Sequence, residues 1–152
     1  KYCDSRGLLS LREVIAEKLA HENNLFVSAR KNILITHGAV HGIAMAIRAI
    51  LNQGDECIIL EPYWRSYEAN IILAGAVPVL VKASAETGFM LEAEQVLDRI
   101  TSRTKMIIVN TPNNASGAVY EKKELTRLAR GAAERGVYII SDEVYRPAGH
   151  RY

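Results

Sequence analysis

The feature that most constrains this chain is a regular alternation of short apolar runs with longer stretches of helical periodicity. The apolar runs have the length and continuity of strands that are buried on both faces. Five of them are predicted as strands, at 33–36, 57–60, 77–81, 106–109 and 137–140. Helices are predicted between them over about 40–51, 63–73, 92–100 and 121–135. Such alternation predicts an α/β fold, a doubly wound and mostly parallel sheet with helices on both faces.

A further helix is predicted before the first strand. Leu8, Leu11 and Val14 follow helical spacing, and Ser10 with Glu13 three residues later has the spacing of a capping box. We therefore divide the chain into a helical lead-in over 1–30 and an α/β domain over 31–152.

Composition excludes several classes of function. The 152 residues carry 19 Lys and Arg against 17 Asp and Glu, and the two signs are mixed along the chain, so nucleic acid and anionic membrane are not expected partners. The longest apolar run, 71–81, contains glycine and proline and falls short of the about 20 residues of a membrane span. Cys3 and Cys57 are expected to be free thiols in a reducing compartment, the cytoplasm.

Ligands of a doubly wound sheet bind at the carboxyl ends of its strands, so the residues that follow each strand are the informative ones. Gly38 follows the first run and opens a helix, which is the arrangement of a phosphate seat or of a simple tight turn. A dinucleotide site is the alternative, because Glu61 stands about 20 residues further on, although the close Gly-x-Gly pair is missing. His37 and His41 have helical spacing but no third ligand nearby, so no metal site is expected.

The later strand ends carry polar and aromatic side chains. Tyr63, Trp64 and Tyr67 follow the second run, where the rings could stack on a flat ligand or pack a helix onto the sheet. The loop 110–117 is rich in Asn, which suits a ligand or simple Asx turns. Asp142 follows the fifth run, either as a carboxylate at the mouth of the sheet or as a cap.

Taken in order, these motifs resemble the class I/II aminotransferases, the fold-type-I enzymes that use pyridoxal phosphate. The resemblance spans nearly the whole chain and rests on an ordered set of motifs, which is more specific than any one of them. The matching stretches are Tyr2 with Gly7-Leu8 and Leu11-Arg12, Thr36-His37-Gly38-Ala39, Pro62-Tyr63-Trp64-x-x-Tyr67, Asn110-x-Pro112-Asn113-Asn114-x-Ser116-Gly117 and Ser141-Asp142-Glu143-Val144-Tyr145.

The resemblance implies a role for each motif around the cofactor ring. Asp142 would face the pyridine nitrogen and keep it protonated, so that the ring can accept electrons. Asn114 and Tyr145 would donate hydrogen bonds to the phenolic oxygen. Trp64 would stack on the ring, with Tyr63 as the neighbouring alternative.

The resemblance also implies a phosphate seat and a shared site. Gly38, Ala39 and Val40 would place main-chain N–H groups at the phosphate. Tyr2 resembles the tyrosine that reaches the phosphate of the neighbouring subunit, which implies a homodimer.

Three departures from the family pattern stand out. Val40 replaces a residue that often carries a hydroxyl group, and Ala115 replaces the usual proline, so the loop at Asn114–Ala115 is expected to be trans or strained. The family's Schiff-base lysine lies further beyond the Asp-x-x-Tyr motif than Tyr152, so no residue here is assigned a catalytic role, and the chain alone is expected to be inactive. The other lysines are expected to be solvated: Lys82, Lys105, Lys122 and Lys123.

The resemblance implies transfer of an amino group from an α-amino acid to a 2-oxo acid. Another fold-type-I enzyme, such as a lyase, decarboxylase or oxidase, would look the same in this region. A non-catalytic remnant that serves as an assembly module is an alternative from another class, since a sheet of five strands could expose an edge. A nucleotide-binding module is the third.

Overall fold

The computed structural model describes residues 4–145, which fall into two compact units, 4–42 and 43–145. Tyr2 lies outside the described residues. In chain order the elements are α1 (Leu9–Asn23), α2 (Gly38–Ile50), β1 (Glu56–Glu61), α3 (Ser66–Leu73), β2 (Val77–Lys82), α4 (Ala93–Leu97), β3 (Thr104–Asn110), α5 (Lys122–Glu134) and β4 (Tyr138–Asp142).

The unit 43–145 is built on one parallel sheet with the strand order β2-β1-β3-β4. The chain moves from β1 to β2 on one side, and then crosses to β3 on the other side of β1. The strand order therefore reverses between β1 and β3, which is where ligands of open parallel sheets bind. The predicted fold class is confirmed.

Both faces of the sheet are covered by helices, because successive strand residues point to opposite sides. One face packs against α4 and α5, and the other packs against α2 and α3. The strand residues of the first face are Ile58, Leu60, Ile107 and Val109; those of the second are Cys57, Ile59, Met106 and Ile108.

Cys57 lies in the central strand β1 and is fully buried. Its thiol is free, and burial raises its pKa to about 12 because the apolar surroundings disfavour the thiolate. Its register partner in β2 is Pro78, which is tolerated because β2 is at the edge of the sheet.

A polar cluster closes the amino end of the sheet around the buried Glu56. The hydroxyl groups of Thr101 and Thr104 donate to its Oε2, at 2.6 and 3.1 Å, and the Arg103 guanidinium donates to its Oε1. Because of these contacts, the Thr101 hydrogen bond above all, the pKa of Glu56 is lowered. This carboxylate has both hydrogen-bond donors and a cation.

The unit 4–42 is organised around the buried Arg12 of α1. Its guanidinium donates to the carbonyl oxygens of Gly7 and Ala29, at 3.2 and 2.9 Å, and to the Asp4 carboxylate at 2.9 Å. Hydrogen bonds from the Arg6 backbone and side chain lower the pKa of Asp4. Leu8 and Val14, predicted on the apolar side of α1, are exposed.

Two sequence predictions are wrong in this unit. The capping box at Ser10 does not form, since α1 begins after Leu8 and has no side-chain cap. The run 33–36 is not a strand, because no strand of the described residues pairs with it; the Ile35 amide donates instead to the Arg6 carbonyl at 3.0 Å. The described sheet therefore has four strands, one fewer than predicted.

Several predicted helices differ from the observed ones in their bounds. The segment from Tyr63 to Arg65 precedes α3 as a turn, and α4 ends at Leu97, after which the Ile100 amide donates to the Leu97 carbonyl. Within 4–145, no helix combines the length and apolar character needed to cross a membrane.

Candidate functional site

The carboxyl ends of β1, β3 and β4 place three polar side chains at one edge of the sheet. These are Glu61, Asn110 and Asp142, the last residues of their strands. Asn110 and Asp142 are also register partners, so they lie side by side. The edge adjoins the point where the strand order reverses, between β1 and β3.

Asp142 is buried, with 7% of its surface exposed, and both of its carboxylate oxygens accept hydrogen bonds. Oδ2 accepts from the Tyr67 hydroxyl at 2.5 Å, and Oδ1 accepts from the Val144 amide at 3.1 Å. Both donors are neutral. Across residues 4–145, no Lys, Arg or His lies within ion-pair distance of this carboxylate.

Tyr67 is the buried side chain that reaches Asp142, with 2% of its surface exposed. Burial raises the pKa of the Tyr67 hydroxyl, and the neighbouring Asp142 charge raises it further. The hydroxyl therefore keeps its proton and remains a donor to Asp142.

A second series of hydrogen bonds runs from Asp142 to Tyr145. The side-chain amide of Asn110 donates to the Asp142 carbonyl at 3.0 Å, and its Oδ1 accepts from the Asn114 amide at 2.7 Å. The side chain of Asn114 then donates to the Tyr145 hydroxyl oxygen at 2.8 Å. Asn114 and Tyr145 are thus joined by a side-chain hydrogen bond.

Trp64 contacts the same network through Tyr67. The two rings meet edge to face, with centroids 5.6 Å apart and planes at 90°, a geometry that aromatic pairs favour. The neighbouring Tyr63 is engaged elsewhere, because its hydroxyl donates to Glu68 at 2.9 Å. Of these two neighbours, Trp64 is therefore the one whose ring contacts the Asp142 network.

Asn113 fixes the loop between β3 and α5 from within. Its side-chain nitrogen donates to the Pro62 carbonyl at 3.2 Å, and its Oδ1 accepts from the Ser116 amide and hydroxyl. Buried Tyr120 lies against the same nitrogen. Asx-turn chemistry thus explains part of this Asn-rich loop, and the bond to Pro62 also ties it to the segment that carries Trp64.

Glu61 adds a second carboxylate to this edge. One of its oxygens, Oε2, is buried and has no hydrogen-bond partner among the described residues. The register neighbour Lys82 is exposed and makes no ion pair with it in the part of the chain that the structure describes. The edge therefore carries negative charge that residues 4–145 do not neutralise.

The first turn of α2 belongs to the unit 4–42. Gly38 has a φ of +81°, a left-handed conformation that favours glycine, and the Thr36 hydroxyl donates to its carbonyl at 3.0 Å. The side chain of His41 accepts from the His37 amide at 3.2 Å. The amides of Ala39 and Val40 lie in the first turn, where a helix has no internal acceptor for them.

The structure joins four of the predicted site residues, Trp64, Asn114, Asp142 and Tyr145, through two residues of the matching motifs that were not predicted to bind the cofactor. Tyr67 and Asn110 are these connecting residues. A sequence signal existed for both: Tyr67 stands one helical turn after Trp64, and Asn110 is the first polar residue after an apolar run. The Asn114–Ala115 bond is trans, as expected.

Comparison with known proteins identifies the family. A sequence model described as aminotransferase class I and II matches residues 1–150. The chain belongs to the class I and II aminotransferase family. The resemblance stated from the motifs is confirmed, and with it pyridoxal phosphate as the cofactor of the family.

Similar family members show how much of an aminotransferase this chain represents. It is 45% identical to the aspartate/prephenate aminotransferase of Thermus thermophilus and 41% identical to the aspartate aminotransferase of Bacillus sp. YM-2. Each match covers 95% of this chain and 37% of the relative, so the chain spans little more than a third of their length.

Solved aminotransferases have the same fold in this region. The aspartate aminotransferase of Thermus thermophilus with maleate superposes with a TM-score of 0.91 at 44% identity. The alanine aminotransferase of Pyrococcus furiosus superposes with a TM-score of 0.90 at 31% identity. Each match covers 95% of this chain and 37% of the other.

The residues at the strand ends fit the family's cofactor. Asp142 is a buried carboxylate without a cation, which suits a protonated ring nitrogen. The Asn114–Tyr145 pair offers hydrogen-bond donors, and Trp64 offers a ring face. This donor set matches an aromatic ligand that has a cationic nitrogen and an anionic oxygen.

Proposed function

We propose that this chain forms part of an aminotransferase that moves an amino group from an α-amino acid to a 2-oxo acid with pyridoxal phosphate. Family membership supports the reaction class. The observation that carries the assignment to this site is the state of Asp142, a buried carboxylate held only by neutral donors among the described residues.

The charge on Asp142 makes a cationic ligand favourable. Burying a carboxylate is costly unless it is paired, and hydrogen bonds from a hydroxyl and an amide leave its net charge in place. A protonated pyridine nitrogen supplies the missing positive charge. Asp142 would in turn hold the proton on that nitrogen, which is the state in which bound pyridoxal phosphate acts as an electron sink.

The other side chains would orient the ring. Asn114 and Tyr145 would donate to the phenolic oxygen and stabilise its negative charge. Trp64 would cover one face of the ring and exclude water from it. Because Asn113 ties the loop of Asn114 to the segment of Trp64, these groups are held before the cofactor arrives.

For the phosphate group we propose the first turn of α2. The proposal rests on that turn alone, where the amides of Ala39 and Val40 and the positive end of the helix dipole favour an anion. The homodimer and the contribution of Tyr2 remain predictions from the resemblance. Sedimentation velocity would test the homodimer, and the Kd of Tyr2→Phe for pyridoxal phosphate would test the contribution of Tyr2.

For the amino donor we propose aspartate. Two similar relatives are named aspartate/prephenate and aspartate aminotransferase, at 45% and 41% identity, whereas a solved relative named alanine aminotransferase is 31% identical. The test is a comparison of kcat/KM for aspartate, alanine and phenylalanine with a common 2-oxo acid acceptor, measured on the complete aminotransferase of which this chain forms part. A higher value for either of the other donors would contradict aspartate without affecting the cofactor site.

The cofactor assignment is tested by titration with pyridoxal phosphate, followed by the emission of Trp64. Since Trp64 is the one tryptophan of the sequence, its emission reports this site. We expect saturable quenching and an induced circular dichroism band of the bound cofactor. Asp142→Asn, which keeps the shape and removes the charge, is the matched control and should weaken binding. Absence of saturable quenching, or equal affinity in Asp142→Asn, would refute the assignment.

A further inference from the structure

We propose that Tyr67 is a positioning residue that fixes Asp142 through its hydroxyl group and Trp64 through its ring. One side chain would thereby position both the charged carboxylate of Asp142 and the indole ring of Trp64 in the candidate site. The inference rests on the proposed function for its meaning, because it assigns Tyr67 to the geometry of the same cofactor site. The two contacts of Tyr67 are present in the protein without cofactor and can be tested there.

The backbone of Tyr67 is held at the start of α3. Its amide donates to the Trp64 carbonyl at 3.0 Å, in the turn that precedes the helix. Its side chain packs in the apolar cluster between the sheet and the helices α2 and α3, with Ile71 one turn later. The backbone hydrogen bond and the apolar packing therefore fix the position of the Tyr67 ring.

The hydroxyl group determines the direction in which Asp142 points. It donates to Oδ2 at 2.5 Å while the Val144 amide holds Oδ1, so the carboxylate is restrained at both oxygens. Because burial and the Asp142 charge raise the pKa of the Tyr67 hydroxyl, the donor does not ionise in the range where the protein is studied.

The ring of Tyr67 restrains Trp64. The edge-to-face contact at 5.6 Å and 90° fixes the plane of the indole relative to the phenol. Trp64 itself is only partly buried, so this contact and the turn before α3 decide where its exposed face lies. Loss of the ring is expected to free the indole, whereas loss of the hydroxyl alone is not.

The two contacts can be separated by substitution. Tyr67→Phe removes the hydroxyl and keeps the ring, and Tyr67→Leu removes both while keeping an apolar side chain in the cluster. Tyr120→Phe is the control for loss of a buried tyrosine hydroxyl, because Tyr120 is also buried and, among the described residues, its hydroxyl oxygen accepts a hydrogen bond from the neutral side chain of Asn113 instead of donating to a carboxylate.

The hydroxyl contact is tested first in the protein without cofactor. Urea unfolding of wild type, Tyr67→Phe, Asp142→Ala and the double variant gives a double-mutant cycle. Because a hydrogen bond to a charged group is involved, we expect Tyr67→Phe to change the unfolding equilibrium constant about tenfold or more in wild type and much less in Asp142→Ala. Equal effects in the two backgrounds would overturn the hydroxyl contact.

The ring contact is tested by acrylamide quenching of Trp64. We expect the quenching constant of Tyr67→Phe to match wild type and that of Tyr67→Leu to rise at least twofold. Equal quenching in all three proteins would overturn the ring contact. Near-UV circular dichroism provides a second reading if Tyr67→Leu is too unstable for titration.

The link to the cofactor is tested with pyridoxal phosphate itself. We expect Tyr67→Phe to raise Kd about tenfold, as for loss of a charge-assisted contact, and to reduce the induced circular dichroism per bound cofactor. Tyr120→Phe should leave both unchanged. An unchanged dichroism band in Tyr67→Phe would overturn the positioning role. If wild type fails to bind, the proposed function falls, and the unfolding cycle still decides whether Tyr67 holds Asp142.

Discussion

Among residues 4–145, the two buried acidic residues of the parallel sheet lie at its opposite ends, and they differ in their hydrogen-bond and ion-pair partners. Glu56 at the amino end accepts from two threonine hydroxyls and pairs with the Arg103 guanidinium. Asp142 at the carboxyl end accepts from one hydroxyl and one amide, with no cation in the described part of the chain. The first charge is neutralised within the chain, and the second is left for something else to neutralise.

This difference in partners predicts different roles for the two carboxylates in stability and in cofactor binding. A carboxylate with a full set of partners contributes to folding, whereas a buried carboxylate without a cation is a cost that a ligand can remove. The charge of Glu56 is thus expected to contribute to stability, and the charge of Asp142 to contribute to cofactor affinity. The predictions below test this division.

The largest expected effect is the loss of cofactor affinity in Asp142→Asn. Removal of one member of a buried charge pair costs about 3 kcal/mol or more, so Kd for pyridoxal phosphate should rise by roughly 100-fold. The unfolding free energy should change by less than about 1 kcal/mol, because the variant loses an unneutralised charge as well as a strong hydrogen bond. Fluorescence titration and urea unfolding measure the two. A large loss of stability with unchanged affinity would contradict the role of the Asp142 charge in cofactor binding.

The complementary change is Glu56→Ala, which should lower the unfolding free energy by about 2 kcal/mol. The hydroxyls of Thr101 and Thr104 would lose their acceptor, and the loss is costly above all for Thr104, which is buried. Pyridoxal phosphate affinity should stay within about twofold of wild type, because the substitution is at the opposite end of the sheet. A parallel fall in affinity would show that the two ends are not independent.

The pH dependence of stability should also come from the amino end. The pKa of Glu56 is lowered from its ordinary value of 4.5, so its stabilisation is fully present above that value. It is lost as the pH falls through the lower pKa of the folded state. The difference in unfolding free energy between wild type and Glu56→Gln, about 1–2 kcal/mol at pH 7, should therefore shrink in acid. A constant difference down to pH 3 would contradict this assignment.

The smallest effect is expected for Arg103→Gln. The Arg103 side chain is 70% exposed, so its ion pair with Glu56 is weakened by solvent and should contribute less than about 1 kcal/mol. Urea unfolding at low and high salt provides the measurement. A loss as large as that of Glu56→Ala would mean that the cation, rather than the threonine hydroxyls, stabilises Glu56.

Much of the fold can be predicted from the sequence because apolar periodicity is a local signal. The runs that became β1, β2, β3 and β4 are continuous and bounded by turn residues. The run 33–36 has the same composition but is not a strand, since strand formation also needs a neighbour that sequence periodicity does not reveal. Ser10 likewise has a good capping residue type, but the helix begins before it.

Motifs in the sequence name the candidate site residues, whereas the contacts that connect these residues could not be predicted. Tyr67 and Asp142 are 75 positions apart, and only the packing of α3 beside the sheet brings them together. Asn110 owes its role to its register with Asp142, which depends on strand pairing. Motifs indicated which groups could contact a cofactor, whereas the hydrogen bonds that orient them required the tertiary structure.

The buried position of Cys57 makes the alkylation rate of its thiol a measure of how often the folded protein opens. A thiol reacts with alkylating reagents as the thiolate, and a pKa of about 12 together with complete burial suppresses that form in the folded state. Reaction at Cys57 therefore requires α2 and α3 to move away from this face of the sheet, or the unit 43–145 to unfold. In a Cys3→Ser background, the rate of alkylation at one residue would measure how often this buried face opens, and its slowing by pyridoxal phosphate would report ligand binding at a distance from the reagent.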